Sequence, residues 1–159
     1  MNIDLDIYFP TILAWSANRE QEILSTGKPL TPAQQLLAQE SGVKHVDQIR
    51  LLKVKQVAFP QEPELVKIAG LLGMPTDNTA GRAIGYGVEI VDSAGDQDRL
   101  LRHEFRHVYQ FESYGGLESF LQIYLRSIVE YGYLNSPWEQ DARRAEHTAA
   151  NDHNFLEDK

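Results

Sequence analysis

The stretch LLRHEFRHVYQ, residues 100–110, limits what this chain can fold into more than any other. Leu100, Leu101, Phe105, Val108 and Phe111 fall on one arc of a helical wheel and Arg99, Arg102 and Arg106 on the opposite side. That is an amphipathic helix packing on a core. Glu104 falls inside the apolar arc. A carboxylate buried there without a partner carries a heavy desolvation cost or gives up its charge, whereas at the rim of a metal cleft it has a purpose. His103 and His107 stand one turn apart on the flank of the arc, so each can aim one ring nitrogen at a single point. Partly buried histidines in such positions also make plain hydrogen bonds, and the helix alone does not choose between the two readings.

The rest of the chain restricts the chemistry. It contains no cysteine, which removes disulfides, thiolate metal sites and cysteine nucleophiles, so any metal must be held by His and carboxylates. A length of 159 residues suits one domain with its own core. The net charge of -8 argues against a phosphate backbone as partner. Asp4 and Asp6 stand where a signal peptide carries basic residues, Pro10 interrupts the apolar stretch, and no apolar run approaches the roughly twenty residues of a membrane span. A cytoplasmic protein without membrane contact is expected.

Along the chain, TILAWSANREQEILSTGK and TPAQQLLAQESG read as two short helices forming an N-terminal hairpin over 1–46; the second has Thr31 as N-cap and Pro32 at its first position. Over 47–92 we expect a small sheet with one helix: a strand that alternates between Arg50 and Val57 and ends at Pro60, a helix in EPELVKIAGLLG, and a second strand, RAIGYGVEIVD, containing Gly85 and Gly87. Residues 93–150 carry three helices: the one with the histidines, from about Asp96 to Gly115, then LESFLQIYLRSIVEYG, then one opening at Ser136 and Pro137. Residues 151–159 read as a polar tail. The fold class is α+β, mostly helical with a small sheet.

H-E-x-x-H on a helix is the spacing that lets two histidines bind zinc while the glutamate, about 100° further round, reaches a water beside the ion. Catalytic zinc takes a third protein ligand. NSPWEQDARRAEH offers Glu139, Glu146 and His147; Glu139 is the best placed, in the first turn of a helix able to fold back beside the first. Ser136 and Glu139 also spell S-x-x-E, a capping box in which the glutamate only serves the backbone. HEFRHVYQ followed by SPWEQDARR resembles the small gluzincin-type zinc metallopeptidase domains, in which H-E-x-x-H is followed by a P-x-E-x-x-A helix that supplies the third ligand. The resemblance covers about residues 80–147. It implies a zincin-like fold, one catalytic Zn2+ on His103, His107 and Glu139, Glu104 as general base, and a peptide or protein substrate. It further implies an edge strand along the cleft before the active helix, which puts Gly85, Tyr86 and Gly87 in reach of substrate by main-chain pairing; the glycines otherwise mark a bulge. Tyr133 and Arg143 are candidates to steady the oxyanion.

The competing readings are a zinc-stabilised binding or regulatory module without catalysis, purely structural histidines, and half of a di-iron site. The last needs a second E-x-x-H, and Glu130, Glu139 and Glu146 are followed at that spacing by Tyr133, Ala142 and Ala149. Oligomeric state stays open, since Trp15, Tyr131 and Trp138 suit an interface as well as a core.

Overall fold

The computed structural model describes residues 3–75 and 79–147. The tail expected over 151–159 and the middle of the PTDNTAG turn lie outside the described residues. Among the described residues, six α-helices accompany a four-stranded mixed sheet: α1 (Leu5–Thr26), β1 (Lys28–Pro29), α2 (Pro32–Glu40), β2 (Arg50–Val54), α3 (Pro63–Leu71), β3 (Gly81–Ile84), β4 (Gly87–Val91), α4 (Gln97–Ser113), α5 (Leu117–Tyr131) and α6 (Pro137–Ala145). The strand order is β1-β2-β4-β3, with β2 and β4 parallel and the outer pairs antiparallel.

The helix ends follow the local chemistry. Thr31 and Gln34 complete a reciprocal capping box at α2, Asp96 accepts the backbone N–H of Arg99 at the start of α4, and Gly132 ends α5 at φ 85°. α1 is longer than its spacing suggests. It starts at Leu5, capped by Asp4, and runs through Pro10. The missing proline N–H leaves a carbonyl without its helical partner, a loss offset by burying Leu5 and Phe9 against α3 and α5.

The N-terminal hairpin is not formed. α1 and α2 are separated by β1, and their apolar faces go to different cores: Leu37 and Ala38 of α2 join Leu101, Phe105 and Val108 of α4, while α1 joins Leu65, Ile68, Leu125 and Ile128. The first core also takes Val88 and Ile90 from one face of β4, so α4 is seated on the sheet. Glu89, on the other face, is fully buried between Arg19 of α1 and its cross-strand partner Arg82, at 2.6 Å from the latter.

RAIGYGVEIVD is likewise not one strand but a hairpin, β3 and β4, turning at Gly85 and Tyr86. Gly85 sits at φ 59°, and a Cβ on it would lie 1.8 Å from Glu20 Oε2. That carboxylate accepts the Tyr86 N–H at 2.9 Å, which secures the turn on α1. The strand directly before α4 is therefore interior, and β3 is the edge strand on that side of the sheet.

Candidate metal centre

α4 and α6 pack side by side, and their contact brings together residues far apart in sequence. His103 Nε2 lies 3.4 Å from Glu139 Oε1, and His107 Nε2 lies 3.1 Å from Glu139 Oε2. Among the described residues these three form the one cluster able to hold an ion, with ligand atoms all within 4.8 Å of one another. A tetrahedral zinc with bonds of about 2.0–2.2 Å sets its ligand atoms about 3.3–3.6 Å apart. The two histidine-to-carboxylate distances, one to each Glu139 oxygen, lie near that spacing.

The outer nitrogens fit as well. His103 Nδ1 is 2.8 Å from Glu146 Oε2, whose other oxygen accepts Arg99 Nε at 2.6 Å. His107 Nδ1 is 2.8 Å from Gln110 Oε1. Both partners are acceptors, so each Nδ1 carries a proton, and each Nε2 faces the cluster. Gln110 is oriented in turn: its amide donates to Trp138 O and to Asp141 Oδ2, each at 3.0 Å. Asp141 is bound by Arg106 through Nε at 2.8 Å, and Arg106 NH1 reaches Ser41 O at 3.0 Å. Arg106, expected on the solvent side of α4, is thus buried at 2 % exposure because Asp141 of α6 and the end of α2 supply its partners.

Glu139 does not serve as a cap. Ser136 makes no side-chain cap bond; its hydroxyl pairs with Ser127 Oγ at 2.7 Å, and its N–H donates to Tyr133 O. The Glu139 carboxylate turns inward instead and also accepts the Tyr124 hydroxyl at 2.6 Å. Burial alone would raise its pKa, but His107 and His103 outweigh this and hold it well below the usual carboxylate range. In the metal-free protein the histidines answer in kind. Burial pulls both down, yet the hydrogen bond from His103 to Glu139 and the charge of Glu139 beside His107 raise them, His107 to about 9.

Glu104 is 5 % exposed and makes no hydrogen bond or ion pair with another described residue. Burial raises its pKa, against the pull of His103 and His107. It lines the same cleft as both histidines and Glu139, together with β3 and residues of α1 and α5. Gly81 is what lets the edge strand lie so close, since a Cβ there would meet Leu100 Cδ1 at 3.2 Å and Glu104 Cγ at 3.4 Å.

The other expected site residues divide. Tyr133 lines the cleft with Glu139, and its pKa is raised chiefly by burial. Arg143 lies behind it, donating to Leu134 O at 2.9 Å, and is not a cleft residue. Gly85 lines the cleft but is glycine to admit Glu20; Gly87 makes room for Ile23, and Tyr86 turns its hydroxyl to Glu112 at 2.8 Å. Glu146 holds His103 from behind, and His147 is exposed. Gln110, Tyr124 and Gly81 went unnoticed in the sequence. Gln110 had a signal, three residues after His107 on one helical face; Tyr124 and Gly81 had none.

A scan against protein-family models finds no match, and searches of the curated proteins and of the solved structures find none either. The functional reading rests on the geometry of this chain.

Proposed function

We propose that the protein is a zinc-dependent metallopeptidase of zincin-like fold and gluzincin ligand type. The observation that carries the reading is the convergence of two Nε2 atoms and a buried carboxylate from separate helices beside a buried glutamate that has no partner of its own. Structural histidines account for the Glu139 contacts but leave Glu104 without a role, as does a zinc-bound module without catalysis.

His103, His107 and Glu139 would hold the ion, which supplies Lewis-acid polarisation of a carbonyl and of water. Glu146 and Gln110 keep the imidazoles oriented, and Tyr124 holds the second oxygen of Glu139. Glu104 accepts the proton of the attacking water and delivers it to the leaving amine. Its raised pKa suits both halves of that task, since a base poised nearer neutrality also gives its proton back. Tyr133, which lines the cleft with Glu139, would donate its hydroxyl to the developing oxyanion.

The test is zinc stoichiometry and peptide hydrolysis measured on wild type, Glu104→Gln and Glu139→Ala. The reading expects one zinc in wild type and Glu104→Gln, hydrolysis only in wild type, and zinc lost from Glu139→Ala. Full activity in Glu104→Gln, or tight zinc in Glu139→Ala, overturns it.

A further inference from the structure

Among the described residues four buried side-chain polar atoms have no hydrogen-bond partner, and two of them, Thr79 Oγ1 and Arg82 Nε, belong to residues that line the cleft. Buried polar atoms are nearly always satisfied, so orphans in a cleft wall point to a ligand. Both stand on the chain that enters and forms the edge strand β3. Arg82 is the sharper case. A guanidinium offers five N–H donors in a rigid fork, and Arg82 makes a single hydrogen bond to another described residue, from NH2 to Glu89 at 2.6 Å. Trp15 and Phe59 flank its head, with ring centres 5.1 and 5.3 Å from Cζ. The charges agree with the orphaned donor. Glu89 is one carboxylate facing two guanidiniums, and Arg19 takes it with two nitrogens. Arg19 has a second acid in Glu22, whereas Arg82 has no other ion pair among the described residues. Burial pulls the Arg82 pKa below its ordinary value, and Glu89 offsets this only in part. Glu104 lines the same cleft without pairing to Arg82, although each feels the other's charge. The wall of the cleft therefore holds a mostly buried cation that is short of one anion.

We propose that Arg82 receives the carboxylate at the end of a peptide substrate, with the Thr79 hydroxyl as a second donor, so that the enzyme cuts near free C-termini. The proposal rests on the peptidase reading for the cut and on Arg82 for the carboxylate. A guanidinium bond to a carboxylate is short and directional, and the flanking rings keep this one out of water. It fixes how far the chain reaches past the ion, so distance from the C-terminus selects the bond that is cut. The same chemistry could come from an aspartate or glutamate side chain, and the probes separate the two sources.

The probes are fluorescein-labelled hexapeptides of one sequence ending in a free acid, the same peptides ending in an amide, amides with Asp as the last residue, and free acids lengthened by three residues at the C-terminus. With the zinc-loaded wild type, kcat/KM for the acid should exceed that for the amide by about 10- to 100-fold, the range of one hydrogen bond to a charged group. Mass spectrometry should find that the cut moves with the new end in the lengthened peptide. Arg82→Gln, which leaves Glu89 its bonds to Arg19, should bring acid and amide together, and Thr79→Val should narrow the gap. Equal rates for acid and amide, or a cut that stays at the original bond, overturn the proposal. So does a preference for the acid that survives in Arg82→Gln, since the carboxylate then sits on the ion or elsewhere. An Asp-ended amide that matches the acid assigns the site to acidic side chains and overturns the terminal one. A second arm does not depend on turnover: affinity of the same peptides for zinc-loaded Glu104→Gln, read by fluorescence anisotropy. Tighter binding of the acid, lost when Arg82→Gln is added, supports the carboxylate site even if the wild type cleaves nothing, in which case the peptidase reading fails and the site stands. Equal affinity for acid and amide, or no binding of either, overturns the site whatever the wild type cleaves. Circular dichroism and zinc content confirm that each variant is folded, and the comparison of acid with amide in the wild type needs no variant.

Discussion

Glu104 and Gln110 show how much a single residue of α4 decides. Glu104→Gln keeps the shape of the side chain and removes its basicity, so kcat is expected to fall by at least about 10²- to 10⁴-fold, the span usual for a lost general base, while zinc content measured by mass spectrometry stays at one per chain. Gln110→Ala leaves His107 Nδ1 without its acceptor and exposes the Asp141 network to a missing partner. Its zinc affinity, measured by competition with a chelator, should weaken about 10- to 100-fold. The metal-free site carries a pH signature of its own. His107 has its pKa raised from 6.5 to about 9; a raised folded value gives stability that is complete below the unfolded pKa and is lost as pH rises through the folded one. The metal-free protein should therefore lose thermal stability between about pH 6.5 and 9, read by calorimetry. Zinc competes with the same protons, so the zinc-loaded protein gains affinity over that window and its melting curve should not show the same fall.

At the scale of elements, α4 is tied to α6 by a buried pair, of which the wheel had put Arg106 on the polar side. Arg106 and Asp141 are 2 % and 0 % exposed, and removing the carboxylate takes two charge-assisted bonds from the buried guanidinium. Asp141→Ala should cost about 3–5 kcal/mol in denaturant unfolding and also weaken zinc, because Gln110 loses an anchor. The β3–β4 turn gives a sharper contrast. Gly85→Ala sets a Cβ into the Glu20 carboxylate at φ 59°, so unfolding free energy should drop by about 1–3 kcal/mol; an unchanged midpoint would show that α1 yields there at no cost. The period-two pattern of RAIGYGVEIVD announced extended chain but not the reversal inside it, because a two-residue turn between short strands leaves the alternation almost intact. For α1 and α2 the spacing announced helices but not their partners, since an apolar face does not say which other face it meets.

For the whole molecule, the candidate metal centre draws its residues from α4 and α6, and ion binding should act as a staple between these helices. Zinc held at about a hundred times its dissociation constant should add about 2.7 kcal/mol to unfolding, and a chelator should reverse the gain. No helix among the described residues is long and apolar enough to cross a membrane. What the sequence determined by itself is local: α+β content, the α4 spacing that puts His103 and His107 on one face, the carboxylate that an apolar arc cannot explain, and the start of α6 at Ser136 and Pro137. Helix periodicity and end chemistry act within a few residues, so they are readable in any isolated stretch. Only the tertiary structure decided that Glu139 faces the histidines and not its own helix cap, that Glu146 and Gln110 stand behind the rings, and that β3, through Gly81, forms the wall of the cleft. Those depend on how α6 and the hairpin pack against α4, which for α6 is a matter of surfaces meeting across 28 to 43 residues of chain, on which no local spacing has any hold.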